Sequence, residues 1–252
     1  MSSDLIHTCR NLFPNWNVFK IEVMNMKVKN FSGESLKYII LEPDEYIEGN
    51  GYPIVILLHG FGANMNDLIG IIPNLSCTPC VYVFPNAPID LRVAYSFEGY
   101  AWVNPPDKPT HGGLKSLSNS LDILIDEVFE KYNVKENNVV IGGFSQGGML
   151  SYWYGIQHPE KFKGVICLSG KLIFDDEFFQ NLNHKIRDQS IYIEHGTQDN
   201  IISVFDARKA RDLLIQNGFG NLEYHESEIG HSIVDSVYPR LSRWLNNIFA
   251  SN

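Results

Sequence analysis

Charge is scarce in this sequence. Only 19% of its 252 residues are Asp, Glu, Lys or Arg, against 44% hydrophobic residues, a balance that excludes disorder as the main state. Positive charge is the scarcer sign: Lys and Arg number 20, Asp and Glu 29, for a net charge of −9. The longest basic cluster, Arg208-Lys209-Ala210-Arg211, is short and interrupted. A nucleic-acid footprint needs clustered positive charge and is not expected. No apolar run approaches the roughly 18 residues that cross a bilayer. The opening MSSDLIHTCRNLFPN has no charged stretch followed by an apolar one, so a signal peptide is not expected and a cytoplasmic location is. Cysteine is rare as well. Four cysteines do not make a disulfide framework. Cys77-Thr-Pro-Cys80 has C-x-x-C spacing but runs into the strand-like Val81 to Phe84, whereas a redox pair of the thioredoxin type opens a helix. No second pair completes a zinc set. The simpler reading is two small residues in a turn, with no metal site and no cofactor expected.

What is present is alternation. Ile54-Val55-Ile56-Leu57-Leu58, Val81 to Phe84, Val139-Val140-Ile141, Val165-Ile166-Cys167-Leu168 and Ile191-Tyr192-Ile193 are apolar on both faces, as central strands of a covered parallel sheet are. Segments 18–29 and 36–42 read as two more strands, an antiparallel hairpin at one edge. Between the runs lie helices. Leu114, Leu117, Leu121, Leu124, Ile125 and Val128 recur at helical spacing. Ser203 with Asp206 reads as a capping box, and Asn217-Gly218 as a stop. Leu241, Trp244, Leu245, Ile248 and Phe249 form a final apolar stripe. Strand and helix in succession predict an α/β fold with a mostly parallel central sheet and helices on both faces. A single domain over 1–252 is expected, with an N-terminal extension and edge strands over about 1–50 and the core over 52–250. The stretch from 85 to 113 holds five prolines and no long period, so it reads as a long loop near the site.

Ligands of such folds sit beyond the carboxyl ends of the strands. There Gly143-Phe144-Ser145-Gln146-Gly147 follows a strand and opens a helix. In that context G-x-S-x-G is a nucleophile elbow, a tight turn that pushes a serine hydroxyl out above the sheet. A serine needs a base, and the base an orienting carboxylate. Five histidines follow Ser145: His158, His184, His195, His225 and His231. His158 precedes Pro159 at a helix end, His184 sits in a polar stretch, and His225 lies inside the strand-like Leu222 to Ser227. His231 follows that strand on a loop, where a base belongs. Asp199 is the acid expected, also on a loop after a strand, with Asp175 and Asp176 as alternatives. The oxyanion donors expected are the backbone N–H groups of Gln146 and Phe61, the latter in His59-Gly60-Phe61-Gly62. His59 reads as a brace for that loop. Tyr95, Phe97, Tyr100 and Trp102 suggest an apolar substrate pocket, with Trp102 the residue singled out.

Taken together, Leu58-His59-Gly60-Phe61-Gly62, Phe84-Pro85-Asn86-Ala87-Pro88, Gly142 to Gly148, His195-Gly196-Thr197-Gln198-Asp199 and Gly230-His231-Ser232 resemble the α/β-hydrolase superfamily in content and order. The match is similar in particular to its phospholipase/carboxylesterase branch, which includes the acyl-protein thioesterases. The resemblance spans about residues 52–250. It implies an α/β-hydrolase fold, Ser145 as nucleophile, Asp199 as acid, His231 as base, and Phe61 and Gln146 as oxyanion donors. The expected activity is hydrolysis of small-molecule carboxylic esters or thioesters, with neither nucleic acid nor stable membrane insertion involved. An oligopeptidase-like amidase on the same fold, or a binding protein that retains the fold, are the alternatives.

Overall fold

The computed structural model describes residues 26–92, 99–105, 109–134, 138–173, 178–179 and 189–250. Its centre is an eight-stranded sheet built from β1 (Met26–Ser32), β2 (Lys37–Pro43), β3 (Ile54–Leu58), β4 (Val81–Pro85), β7 (Val139–Phe144), β8 (Gly164–Leu168), β9 (Ser190–Gly196) and β10 (Leu222–Ser227). The spatial order is β1-β2-β4-β3-β7-β8-β9-β10. β1 and β2 pair antiparallel, β2 joins β4 antiparallel, and every other pair is parallel. The antiparallel edge predicted from sequence is therefore present. Its first strand occupies 26–32, and the predicted part from 18 to 25 lies outside the described residues. A separate two-stranded pair, β5 (Ile89–Asp90) with β6 (Tyr100–Ala101), stands within the proline-rich stretch.

Helices cover both faces, and the pleat decides which residue faces which. Ile54, Ile56 and Leu58 of β3 pack with Leu117, Leu121, Leu124, Ile125 and Val128 of α1 (His111–Tyr132). The same layer takes Leu150, Tyr152, Tyr154 and Ile156 of α2 (Gln146–Gln157), and Ala210 and Leu214 of α3 (Val204–Gln216). Val55 and Leu57 point the other way. They meet Leu241, Trp244, Leu245, Ile248 and Phe249 of α4 (Val237–Ala250) and the apolar residues of a 3₁₀ segment, Asp67–Asn74. This is why the strands are apolar at every position: each face has its own helical layer. The caps follow the sequence signals only in part. Ser203 Oγ accepts from the Phe205 N–H at 3.3 Å, and the Asp206 N–H donates to the Ser203 carbonyl at 2.9 Å. Gly218 takes φ +92 after α3. Among the described residues, no helix is long and apolar enough to cross a membrane.

The parallel strands end together. Leu58 pairs with Gly143, Phe144 with Leu168, Leu168 with Glu194, and Ser227 with Gly196. The segments that follow β3, β7, β9 and β10 consequently emerge at one rim of the sheet.

Candidate active site

Ser145 stands between β7 and α2 with φ 55 and ψ −117. A left-handed φ on a non-glycine residue costs about 1–3 kcal/mol and persists only where the surroundings hold it. Three features hold it here. The Ser145 N–H donates to the Leu168 carbonyl at 2.9 Å, and the Ser145 carbonyl accepts the first helical bond, from Met149, at 3.0 Å. The flanking glycines let the turn close. A Cβ on Gly143 would lie 2.5 Å from the Leu58 carbonyl oxygen, and one on Gly147 would overlap that same oxygen. The pattern of small residues seen in the sequence is thus a packing requirement against the end of β3.

His231 arrives on the loop after β10. That loop is tied to the one after β9: the Gln198 N–H donates to Ile229 O at 3.0 Å, and Thr197 N–H to Ser227 O at 2.8 Å. Asp199 sits on this second loop. Its Oδ1 accepts from the backbone N–H groups of Ile201 and Ile202 at 2.8 and 2.9 Å, and its Oδ2 accepts from His231 Nδ1 at 2.7 Å. His231 Nε2 lies 2.8 Å from Ser145 Oγ. Burial acts to raise the Asp199 pKa. Hydrogen bonds from His195, His231 and the Ile202 N–H outweigh it and hold the carboxyl well below the usual carboxylate range. An ionised carboxylate only accepts, so Nδ1 of His231 carries the proton and Nε2 is free to accept the serine proton. The Phe144 ring packs 4.8 Å from the imidazole. Ser145 also precedes the first turn of α2, where unpaired N–H groups favour developing negative charge.

The sequence places His195 in a motif and among the five histidines after Ser145, with no role of its own. The structure gives it a specific contact. It is fully buried, and its Nε2 lies 2.8 Å from the Ile202 carbonyl and 3.3 Å from Asp199 Oδ2. Both neighbours are acceptors, so Nε2 carries hydrogen and donates to both. The signal available in the sequence was the four-residue spacing from His195 to Asp199, which a strand end followed by a turn folds back on itself.

The segment after β3 lies against the serine. A Cβ on Gly60 would be 3.5 Å from the Ser145 Cβ. His59 braces this segment. The Ala87 N–H donates to its Nε2 at 3.1 Å, which leaves Nδ1 protonated and donating to Gly60 O at 2.8 Å. Burial lowers the His59 pKa from 6.5 to about 4, and the Gly60 bond opposes this only in part. Phe61 is 8% exposed and packs on Leu91 and Ala101, beside Ile89. The neighbouring Gly62 N–H donates to Tyr100 O, and Tyr100 N–H to Ala63 O, both at 2.9 Å. Gln146, which begins α2, has a second task. Its side chain accepts from Trp102 N–H and donates to Val103 O, both at 2.9 Å. Trp102 is 1% exposed, and its indole donates to the His59 carbonyl at 2.8 Å. Its contacts are those of a strut under the loop, not of a free face toward substrate. Tyr95, Phe97, Asp175, Asp176 and His184 lie outside the described residues.

Comparison with known proteins adds the following. The model of the phospholipase/carboxylesterase family matches residues 48–248. An acyl-protein thioesterase 1 of Candida albicans is 30% identical over 211 residues, covering 77% of this chain and 91% of that protein. Another, from Debaryomyces hansenii, is 28% identical over 187 residues, 68% of this chain and 80% of that protein. Among solved structures, the Bacillus cereus carboxylesterase superposes with a TM-score of 0.71 at 18% identity, covering 86% of this chain and 96% of its own. The acyl-protein thioesterase 2 of Zea mays gives 0.62 at 17% identity, with coverages of 88% and 99%. At these identities the two structures speak for the fold, that of the α/β-hydrolases.

Proposed function

This chain belongs to the phospholipase/carboxylesterase family, and we propose that it is a serine hydrolase that cleaves carboxylic esters or thioesters through an acyl-enzyme. The observation that carries this reading is the continuous hydrogen-bonded path from Ser145 Oγ through His231 to Asp199, at 2.8 and 2.7 Å. His231 Nε2 takes the serine proton as Oγ attacks the substrate carbonyl. Asp199 stays ionised, fixes the imidazole tautomer and stabilises the imidazolium that forms. The backbone N–H groups of Gln146 and Phe61 receive the oxyanion. Gln146 occupies the first turn of α2, where the N–H has no acceptor within the helix. The imidazolium then protonates the leaving alcohol or thiol. Water, deprotonated by the same imidazole, releases the acid and restores Ser145. The curated relatives in Candida albicans and Debaryomyces hansenii bear the name acyl-protein thioesterase 1, which favours an acyl ester or thioester over a peptide amide. A cytoplasmic location belongs to the same reading.

The test is covalent labelling. A fluorophosphonate should label the native protein once, at Ser145, and Ser145→Ala should neither label nor turn over p-nitrophenyl acetate, with kcat lowered by about 10⁴–10⁶. Near-native turnover by a folded Ser145→Ala protein would refute the assignment. Faster hydrolysis of peptide anilides than of esters would move it to the amidase alternative.

A further inference from the structure

The C-x-x-C pair takes no part in the hydrolytic reading, and its surroundings are not those of an ordinary turn. Cys77 is partly exposed, and its sulfur lies 3.1 Å from the Tyr82 hydroxyl. Cys80 is buried, and its thiol donates to the Thr78 carbonyl at 3.0 Å. Its sulfur lies within reach of the Cys77 sulfur, toward which the single S–H can turn from the Thr78 carbonyl. The segment bearing the pair is fixed from outside. Ser76 N–H donates to Ser242 Oγ at 2.9 Å, Thr78 N–H to Asn246 Oδ1 at 2.7 Å, and Asn246 Nδ2 to Ser76 O at 3.1 Å, so α4 holds the bend in place. Two thiols and a phenol thus converge on a held stretch, and one of the two cysteines is partly exposed.

We propose that Cys77 and Cys80 form a peroxide-responsive dithiol, with Cys77 the attacking sulfur, Cys80 the resolving one and Tyr82 a hydrogen-bond donor to the Cys77 sulfur. The electronic arrangement fits this division. Hydrogen bonding from Cys80, with a smaller contribution from Tyr82, lowers the Cys77 thiol from 9.0 to about 7 against the opposing effect of burial. The same contact and burial push Cys80 upward. Cys77, the more exposed of the two, is therefore assigned as the thiolate, and the buried Cys80 as the thiol. The Cys77 thiolate attacks one oxygen of a hydroperoxide; an S–O bond forms, the O–O bond breaks, and the departing oxygen takes a proton from solvent. Cys80 sulfur then attacks the sulfenic sulfur; the S–S bond forms, the S–O bond breaks, and the oxygen leaves as water carrying the Cys80 proton. Two electrons pass from the two thiols to the peroxide.

A lowered thiol pKa raises the share of Cys77 that is thiolate at neutral pH. Nucleophilicity falls with pKa, but with a Brønsted slope of about 0.4–0.5 the gain in thiolate outweighs that loss and the rate rises. The experiment treats the reduced full-length protein with hydrogen peroxide, blocks remaining thiols with N-ethylmaleimide and weighs the peptide that contains both cysteines. The expected peptide is two hydrogens lighter, unlabelled, and restored by dithiothreitol. In Cys80→Ala, Cys77 should be caught by dimedone as the sulfenic acid, and its reaction with a small aryl disulfide at neutral pH should be slower than in the native protein. Full maleimide labelling of both cysteines after peroxide, or Cys77 joined instead to Cys9, Cys167 or a second chain, would overturn the proposal. The native-protein measurement does not depend on how the variant folds.

Discussion

Asp199→Asn keeps the shape of the side chain and removes its charge, which makes the consequence traceable atom by atom. The carboxylate now serves four donors: Ile201 and Ile202 N–H on Oδ1 at 2.8 and 2.9 Å, and His231 and His195 on Oδ2 at 2.7 and 3.3 Å. Asparagine can keep its carbonyl for the two backbone donors only by turning its NH₂ toward the two imidazoles. His195 Nε2 is still bound to the Ile202 carbonyl at 2.8 Å, so donor faces donor there. His231 is driven to the other tautomer, with Nδ1 accepting from the amide and Nε2–H aimed at Ser145 Oγ. The hydroxyl then has no group to take its proton. In a serine protease of unrelated fold the equivalent change costs about 10⁴ in kcat, and at about 1.36 kcal/mol per decade that is about 5 kcal/mol of transition-state stabilisation. With p-nitrophenyl acetate as substrate, kcat should fall by about 10³–10⁴ while KM changes little. The residual rate should climb with pH as hydroxide replaces the missing base. Circular dichroism would verify folding. A folded variant within about tenfold of native activity would show that the carboxylate does not set the tautomer, and the reasoning would fail.

Two further outcomes follow from the packing around the serine. His59 stays neutral in the folded protein down to about pH 4, whereas in the unfolded chain it gains a proton near pH 6.5, so the unfolded state binds more protons between those values. Stability from this site is complete above about pH 6.5 and is lost as pH falls toward about 4, by about 3 kcal/mol in all. Urea unfolding across that window should show a shallower decline for His59→Gln, whose amide oxygen can still accept from Ala87; an unchanged slope would remove His59 as the source. Gly147→Ala should destabilise by about 3 kcal/mol or abolish folding, because the added carbon overlaps the Leu58 carbonyl. Gly112→Ala in α1, where a Cβ meets nothing within 4 Å, is the matched control and should be neutral or slightly stabilising.

Much of this architecture is legible in the chain because the central strands have no polar face to hide. Val139 to Ile141 and Ile54 to Leu58 announce themselves, and each ends where a loop with a functional side chain begins. The loop chemistry is legible for the same reason, since Gly143 and Gly147 are demanded by one carbonyl of β3. Other parts could not be read. β5 and β6 are two residues each, too short for any period, and Tyr100 is held by Gly62 and Ala63, which belong to a distant stretch. The 3₁₀ segment Asp67–Asn74 contains Pro73 and is only eight residues long, too short to sustain a helical period, although Leu68, Ile69, Ile71 and Ile72 fill one face of the core. Trp102 was expected to line a pocket and is instead buried on the His59 carbonyl; aromatic composition alone does not tell a strut from a wall. The task of His195 is not legible in the sequence because only the turn after β9 reveals that its ring reaches Asp199.

Ser145 and His231 are 86 positions apart, and that interval has a meaning during synthesis. On the proposed reading, a ribosome that has just extruded the elbow has made a polypeptide whose serine is still an ordinary alcohol, for its proton acceptor has yet to be translated. Any chain abandoned within the interval carries the reactive turn without the means to fire it. Acylating power is thereby withheld until most of the sheet that must contain it already exists.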